Sequence, residues 1–371
     1  MASSDSFAKV ATVGVVSAAA GAALAYAVSK GPAPVEKPKK VQLDPRIAAA
    51  LEAARAECGE GKWGPDDGAT ATAWVAYQMS DNAFIFPITP STLLSEMCDT
   101  WSAGGVQNAF EQVTKITQLQ SEAGAAGAMH GALAVGGLAT TFTASQGLLL
   151  MVPNMYKIAG ELTPCVMHVA ARAVAGQALS IFGDQNDIQA VRSTGFAILF
   201  GSTVQQALDF ALVSHIATLR SRVPFVHAFD GFRTSHEIQK IQAYPKEIFQ
   251  KVVELLAPEI DAHRSRALNP NHPHARGTAQ CDDIYFQAVE AANKYYLDVP
   301  EVVEEAFLWI EKLSGRKYSL FEYVGSPRAK YVLILMGSGA GVVEEYLAKM
   351  GDKAKDCGCL NVHLYRPWSE K

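Results

Sequence analysis

From residue 68 onward short apolar runs alternate with stretches of helical spacing, and this alternation restricts the fold more than any other feature. Residues 82–86, 138–144, 164–170, 196–200 and 223–229 are largely apolar or β-branched runs too short to be helices. Between them, 71–79, 91–101, 146–160 and 204–219 carry helical spacing. Apolar strands separated by helices predict an α/β fold, a parallel sheet with helices on both faces. Two further elements are expected in the gap, a short strand at 108–112 and an Ala/Gly-rich helix from Ile116 to Ala134. The helix over 91–101 should open with Thr89 as its N-cap and Pro90 in its first position.

The pattern is less regular over 232–330, with helical spacing returning at 284–294 and 301–314. A new unit begins near Lys330: an apolar strand, a glycine turn, a helix at 341–350 and a last strand at 360–364. One β-α-β unit cannot bury both of its own faces, so this partial unit is expected to dock on a partner or to be incomplete. At the other end, residues 10–29 are uncharged and flanked by Lys9 and Lys30. As a helix they would run about 30 Å, enough to cross a hydrocarbon core. A cleaved signal is the competing reading, because Ala25-Tyr-Ala27 fits a small-residue cleavage site. The expected organisation is therefore a hydrophobic segment and linker at 1–45, a main domain at 46–315 and a partial domain at 325–371.

Hydrophobic residues make up 49% of the chain and charged residues 19%, which supports a packed core. A formal net charge of −5 provides no basic footprint for nucleic acid. The six cysteines follow neither zinc nor iron–sulfur spacing, so no metal site and no iron–sulfur cluster is expected within this chain.

Open α/β sheets collect ligands beyond the carboxyl ends of their strands. Thr89 follows the strand at 82–86 and Arg172 follows the strand at 164–170, so both belong to that rim. Glu122 is the single carboxylate in Gln120-Ser-Glu-Ala-Gly-Ala-Ala-Gly-Ala-Met-His-Gly131. Burial disfavours a carboxylate's charged form, which suits such a group to sharing a proton with a basic ligand nitrogen. A hydroxyl, a forked cation and a proton-sharing carboxyl together fit a small oxoacid and a heteroaromatic cofactor. His130 is expected to be a packed, hydrogen-bonded residue, and Asp230-Gly-Phe-Arg233 either a structural turn or a pocket contact.

Several blocks carry a more specific resemblance: Asp67-Gly-Ala-Thr-Ala-Thr-Ala, Pro87-Ile-Thr-Pro-Ser-Thr, the 120–131 block, Thr140-Thr-Phe-Thr-Ala-Ser-Gln-Gly-Leu-Leu-Leu-Met and Phe229-Asp-Gly-Phe-Arg-Thr-Ser-His-Glu. Through them the chain resembles the N-terminal region of pyruvate:ferredoxin oxidoreductases (pyruvate synthases) and their NADP-coupled relatives. The resemblance implies a thiamine-pyrimidine (PYR-type) domain followed by the start of a transketolase-C-like domain. It implies that Glu122 hydrogen-bonds the aminopyrimidine of thiamine diphosphate, favouring the tautomer that activates the cofactor, with Pro87 beside the ring. Thr89 would bind substrate and Arg172 would hold the carboxylate of pyruvate. The family's diphosphate-binding domain with its magnesium ligands, its iron–sulfur cysteines and its coenzyme A domain have no counterpart in these residues. CoA-dependent oxidative decarboxylation is therefore expected only with a second chain or further domains, in a homodimer or hetero-oligomer. The alternative is a catalytically silent, membrane-anchored accessory subunit of a larger respiratory-type complex. The expected location is the mitochondrial inner membrane, with a cytoplasmic or matrix-soluble protein as the alternative.

Overall fold

The computed structural model describes residues 41–59 and 61–369. The candidate membrane segment 10–29 lies outside them, and among the described residues no helix is long and apolar enough to cross a membrane. In chain order the strands are β1 (Lys62–Asp66), β2 (Asn82–Ile85), β3 (Lys115–Gln118), β4 (Ala139–Thr143), β5 (Val166–Ala171), β6 (Ala197–Gly201), β7 (Phe225–Asp230), β8 (Gln239–Ala243), β9 (Phe321–Gly325), β10 (Tyr331–Leu335), β11 (Cys357–Val362) and β12 (Leu364–Arg366). The helices are α1 (Pro45–Cys58), α2 (Gly68–Gln78), α3 (Thr92–Ala103), α4 (Glu122–Ala134), α5 (Ser145–Gly160), α6 (Asn186–Val191), α7 (Val204–Ser221), α8 (Lys246–Leu255), α9 (Ala257–Ser265), α10 (Asp282–Ser314) and α11 (Ser338–Met350).

The expected parallel sheet is present. Seven strands lie in the order β12-β6-β7-β5-β4-β2-β3, all parallel except β12, which pairs antiparallel with β6. Its inner strands are buried on both faces, and the side chains divide with a period of two. Val166, Leu199 and Phe225 join one core with residues of α7 and α10. Met167, Val169, Ile198, Phe200 and Val226 join the other with residues of α4 and α5. The α7 helix is buried along nearly its whole length, between the sheet and α10. A buried histidine trio that sequence reasoning did not anticipate spans this core. His168 on β5 meets His227 on β7 at 3.0 Å between Nδ1 atoms and His215 on α7 at 3.3 Å between Nε2 atoms. Burial pushes His215 and His227 down to about 3, and burial with its two neighbours holds His168 well below the usual histidine range.

Three local expectations are corrected. Residues 108–112 form a turn rather than a strand, because the buried Asn108 Oδ1 accepts from Phe110 N at 2.9 Å and Gln112 N at 3.1 Å. An Asn side chain that satisfies its own backbone in this way competes with a strand ladder. The strand arrives later, at β3, so the helix expected from Ile116 begins at Glu122, capped by Ser121 Oγ accepting from Gly124 N at 3.1 Å. Thr89 is not an N-cap: 86–91 is an extended turn with a cis Thr89–Pro90 peptide, and α3 starts at Thr92 with Ser91 in the cap position. Ser91 Oγ donates to the Thr143 carbonyl instead of capping the helix.

The irregular stretch after 232 holds more order than its sequence suggests. Strand β8 pairs antiparallel with β1, and the two helical patterns at 284–294 and 301–314 are one 33-residue helix, α10, with Pro300 inside it. At the C-terminus, β9 makes the last unit a three-stranded sheet in the order β10-β11-β9, and the last strand of that unit ends at Val362. The chain then crosses to the main sheet as β12. Strand β10 remains an edge, with Tyr331, Val332, Leu333 and Ile334 all exposed, as are Val342 and Tyr346 on α11.

Candidate active site

Four neighbouring strand ends, in the order β3-β2-β4-β5, bring the predicted residues to one rim. Glu122 follows β3 and is the first residue of α4, a position where the helix dipole favours negative charge. Pro87 and Thr89 lie in the turn after β2, whose last residue pairs with the end of β3 through Leu119 N donating to the Ile85 carbonyl at 2.9 Å. Thr143 ends β4, and Arg172 comes immediately after β5.

The structure joins Arg172 and Thr89 directly. Arg172 Nη1 donates to the Thr89 carbonyl at 2.8 Å, while the Thr89 side chain is exposed. Arg172 Nη2 donates to Gln146 Oε1 at 2.9 Å. Arg172 as a residue is only 5% exposed, and burial lowers its proton affinity while the opposing pull of Asp187 and Glu122 restores part of it. Glu122, at 6% exposure, rests on Gly147: a Cβ there would meet Thr143 Oγ1 at 2.6 Å and Glu122 Oε1 at 2.8 Å. Only glycine leaves that floor free. A second close approach is at Gly231, where a Cβ would strike Pro90 Cγ at 2.6 Å, and this seats the Thr89–Pro90 turn against the end of β7.

Two buried polar atoms at this rim have no hydrogen-bond partner, Thr143 Oγ1 and Arg172 Nε. Buried polar atoms are almost always satisfied, so such a pair beside the buried Glu122 side chain is a place where a polar ligand completes the bonding. The glycine floor, the carboxyl and the orphaned donors fit the edge of an aminopyrimidine ring and a small oxoacid. Among the described residues no group of three or more His, Cys, Asp and Glu side chains is placed to hold a metal ion.

Asp187 was not identified from sequence. It is fully buried on α6, where its Oδ2 accepts from Ser145 N at 2.8 Å and Arg172 N at 3.0 Å. Burial pushes its carboxyl up to about 6 against the opposing effect of its backbone hydrogen bonds. No motif announced it, because its partners are 42 and 15 residues away in the chain. Asp230, left open as turn or pocket, does both: its Oδ2 accepts from Ser338 N at 2.7 Å and Ser338 Oγ at 2.6 Å, tying α11 to the main sheet, and with Arg233 it lines a surface pocket. His130 is a hydrogen-bonded residue, 2.9 Å from Glu161 Oε2.

Residues 74–308 match the family model described as pyruvate flavodoxin/ferredoxin oxidoreductase, thiamine diphosphate-binding. The chain is 57% identical over 306 residues to the mitochondrial pyruvate dehydrogenase [NADP(+)] of Euglena gracilis, covering 82% of this chain and 17% of that protein. It is 56% identical over 303 residues to the pyruvate:ferredoxin oxidoreductase of Moorella thermoacetica, covering 82% of this chain and 26% of that one. The chain thus spans only about a sixth to a quarter of these relatives' length. A solved 2-oxoglutarate:ferredoxin oxidoreductase from Magnetococcus marinus shares the fold, with a TM-score of 0.63, 15% identity, and coverage of 83% of this chain and 55% of that chain.

Proposed function

The chain belongs to the pyruvate flavodoxin/ferredoxin oxidoreductase family through its thiamine diphosphate-binding region, and from that premise we propose that it forms the pyrimidine-side half of a pyruvate-oxidising site. The supporting observation is the single rim on which Glu122 lies over Gly147 while Arg172 is bonded to the Thr89 carbonyl. Thiamine diphosphate, when bound, supplies the carbon nucleophile that attacks a 2-oxoacid. Glu122 would hold a proton at the pyrimidine nitrogen, and Pro87 would border the ring. Arg172 takes the substrate carboxylate with its remaining donor capacity, since Thr89 and Gln146 already fix the orientation of the guanidinium. Thr89 borders the substrate through its turn.

The diphosphate, its Mg2+ and the electron acceptors belong to other polypeptide in this reading, either a partner subunit or further domains. The relatives' far greater length and the exposed apolar strand β10 support that division. The same exposed surfaces support the second reading, in which the chain is a silent accessory subunit of a membrane complex anchored through 10–29. The mitochondrial relative supports a mitochondrial location, at the inner membrane or in the matrix. The deciding experiment is pyruvate-dependent reduction of a viologen dye by the purified native assembly, with Glu122→Ala as control. Loss of turnover by about 10²–10⁴-fold is expected for a proton-transferring group. Unchanged turnover would remove catalysis from this chain and leave the accessory role.

A further inference from the structure

Residue 145 has an unfavourable backbone. Ser145 has φ near 50°, in the left-handed region that costs a non-glycine residue about 1–2 kcal/mol. It lies between Thr143, with its orphaned hydroxyl, and Gly147, the floor beneath Glu122. Something must hold it there, and hydrogen bonds from both its hydroxyl and its N–H do. Its Oγ donates to the Ala173 carbonyl at 2.6 Å, and its N–H donates to Asp187 Oδ2 at 2.8 Å.

That same Oδ2 accepts the backbone N–H of Arg172 at 3.0 Å, while Oδ1 accepts that of Ile188 at 2.7 Å. One fully buried carboxylate therefore ties the turn after β4 to the segment after β5. Gln146, next to Ser145, closes the loop from the other side by accepting from the Arg172 guanidinium at 2.9 Å. The floor under Glu122 and the root of Arg172 are thus fixed to one point. A cap serving only α6 would need just the Ile188 bond; the other two bonds reach outside that helix and end at residues of the candidate site.

We propose that Asp187 is a positioning residue of the oxoacid site, setting the distance between the Glu122 floor and the Arg172 guanidinium through the backbone of Ser145 and Arg172. The role rests on the proposed pyruvate-site reading, but the clamp itself does not. Asp187 touches no reacting atom and is not catalytic.

The test uses Asp187→Ala and Asp187→Asn in the full chain and in the native assembly. Asparagine keeps one carbonyl oxygen able to serve Ser145 and Arg172, and turns its amide nitrogen, a donor, toward the Ile188 N–H in place of the second acceptor. In the full chain, amide hydrogen exchange should accelerate at residues 145 and 172 by about 5–150-fold in Asp187→Ala, the factor for losing a buried acceptor. In Asp187→Asn the acceleration should be much smaller. In the dye assay, KM for pyruvate should rise about tenfold in Asp187→Ala with a smaller change in kcat, and Asp187→Asn should restore most of it. Faster exchange with an unchanged KM would make Asp187 a purely structural cap and overturn the proposal. Exchange that is unchanged, or faster uniformly along the chain, would overturn the clamp itself. An assembly whose unmodified form shows no turnover would overturn the pyruvate reading instead, and the exchange pattern would still judge the clamp.

Discussion

Two groupings in this protein each set a buried carboxyl side chain near an arginine that also reaches a glutamine, and they are finished differently. Asp209 on α7 accepts from Arg316 Nε at 2.6 Å, Arg316 Nη2 at 2.9 Å, Tyr244 OH at 2.6 Å and Tyr318 OH at 2.7 Å. Arg316 Nη1 finishes on Gln242 Oε1 at 2.6 Å. At the rim, Arg172 keeps an unpartnered Nε, and Thr143 beside Glu122 keeps an unpartnered hydroxyl. The first grouping is complete and locks α7 to β8 and to the segment after α10. The second is left open at the carboxyl ends of the strands, where a ligand would complete it.

The same chemical change, carboxylate to amide, should therefore have opposite consequences in the two places. Asp209→Asn replaces an acceptor with a donor facing Arg316, leaves that partly exposed cation without its counter-charge and should cost up to about 3 kcal/mol of stability, the low end for a fully buried pair. Glu122→Gln should change stability by less than about 1 kcal/mol, within the range of substitutions that break no buried bond, while abolishing dye reduction. Urea denaturation of the two variants checks this. Equal losses at both sites would mean that the rim is as closed as the Asp209 cluster.

Acid sharpens the contrast between buried groups held neutral and those held charged. His215 and His227 are pushed down to about 3, and His363 to about 4, all chiefly by burial. Below the unfolded value near 6.5 the unfolded chain binds protons that the folded chain refuses, so stability falls as pH falls. At pH 5 each of His215 and His227 costs about 2 kcal/mol relative to pH 7. Asp187 works with the opposite sign: its folded carboxyl rises to about 6, so it binds a proton more readily in the folded state and returns about 1 kcal/mol over the same interval. The histidines dominate, and the urea midpoint should drop between pH 7 and pH 5. A flat or rising midpoint would contradict their burial as neutral groups.

Gly147→Ala tests the open site from its floor. Its Cβ would lie 2.9 Å from Glu122 Cγ as well as against the carboxyl, so the glutamate must shift or the turn must open. Overpacking of this kind costs about 1–3 kcal/mol. The expected result is a modest drop in melting temperature and a severe loss of turnover. Retained activity would show that Glu122 does not depend on this seat.

The physical reasons for what was legible differ from residue to residue. Strands at 138–144, 164–170, 196–200 and 223–229 were readable because a strand buried on both faces is a nearly continuous apolar run. Helix boundaries in the 108–122 region were not, because Asn108 builds its turn from hydrogen bonds to its own backbone, and a short polar strand, Lys115–Gln118, gives little apolar signal. Thr89 and Arg172 reached one rim as expected, since the strand ends place them there whatever the exact boundaries, whereas Glu122 joins them only because its helix starts later than its sequence suggests. Asp187 and the histidine trio were invisible because their partners lie in distant segments. Local pattern says nothing about which backbone N–H groups or which rings will meet across a sheet.

The smallest expected effect separates two ways in which Thr89 can serve the open site. Its carbonyl, not its hydroxyl, is bonded to Arg172, and its side chain is exposed. Thr89→Ala keeps that carbonyl, so stability should stay within about 0.5 kcal/mol, as for a surface substitution. If the hydroxyl also reaches substrate, its loss removes one neutral hydrogen bond, about 0.5–1.5 kcal/mol, which is roughly a 2–12-fold rise in KM for pyruvate. That rise, with an unchanged melting temperature, is the expected outcome. A KM that does not move would assign Thr89 to the backbone framework that orients Arg172. The open site would then differ from the Asp209 cluster by Glu122, Thr143 and Arg172 alone.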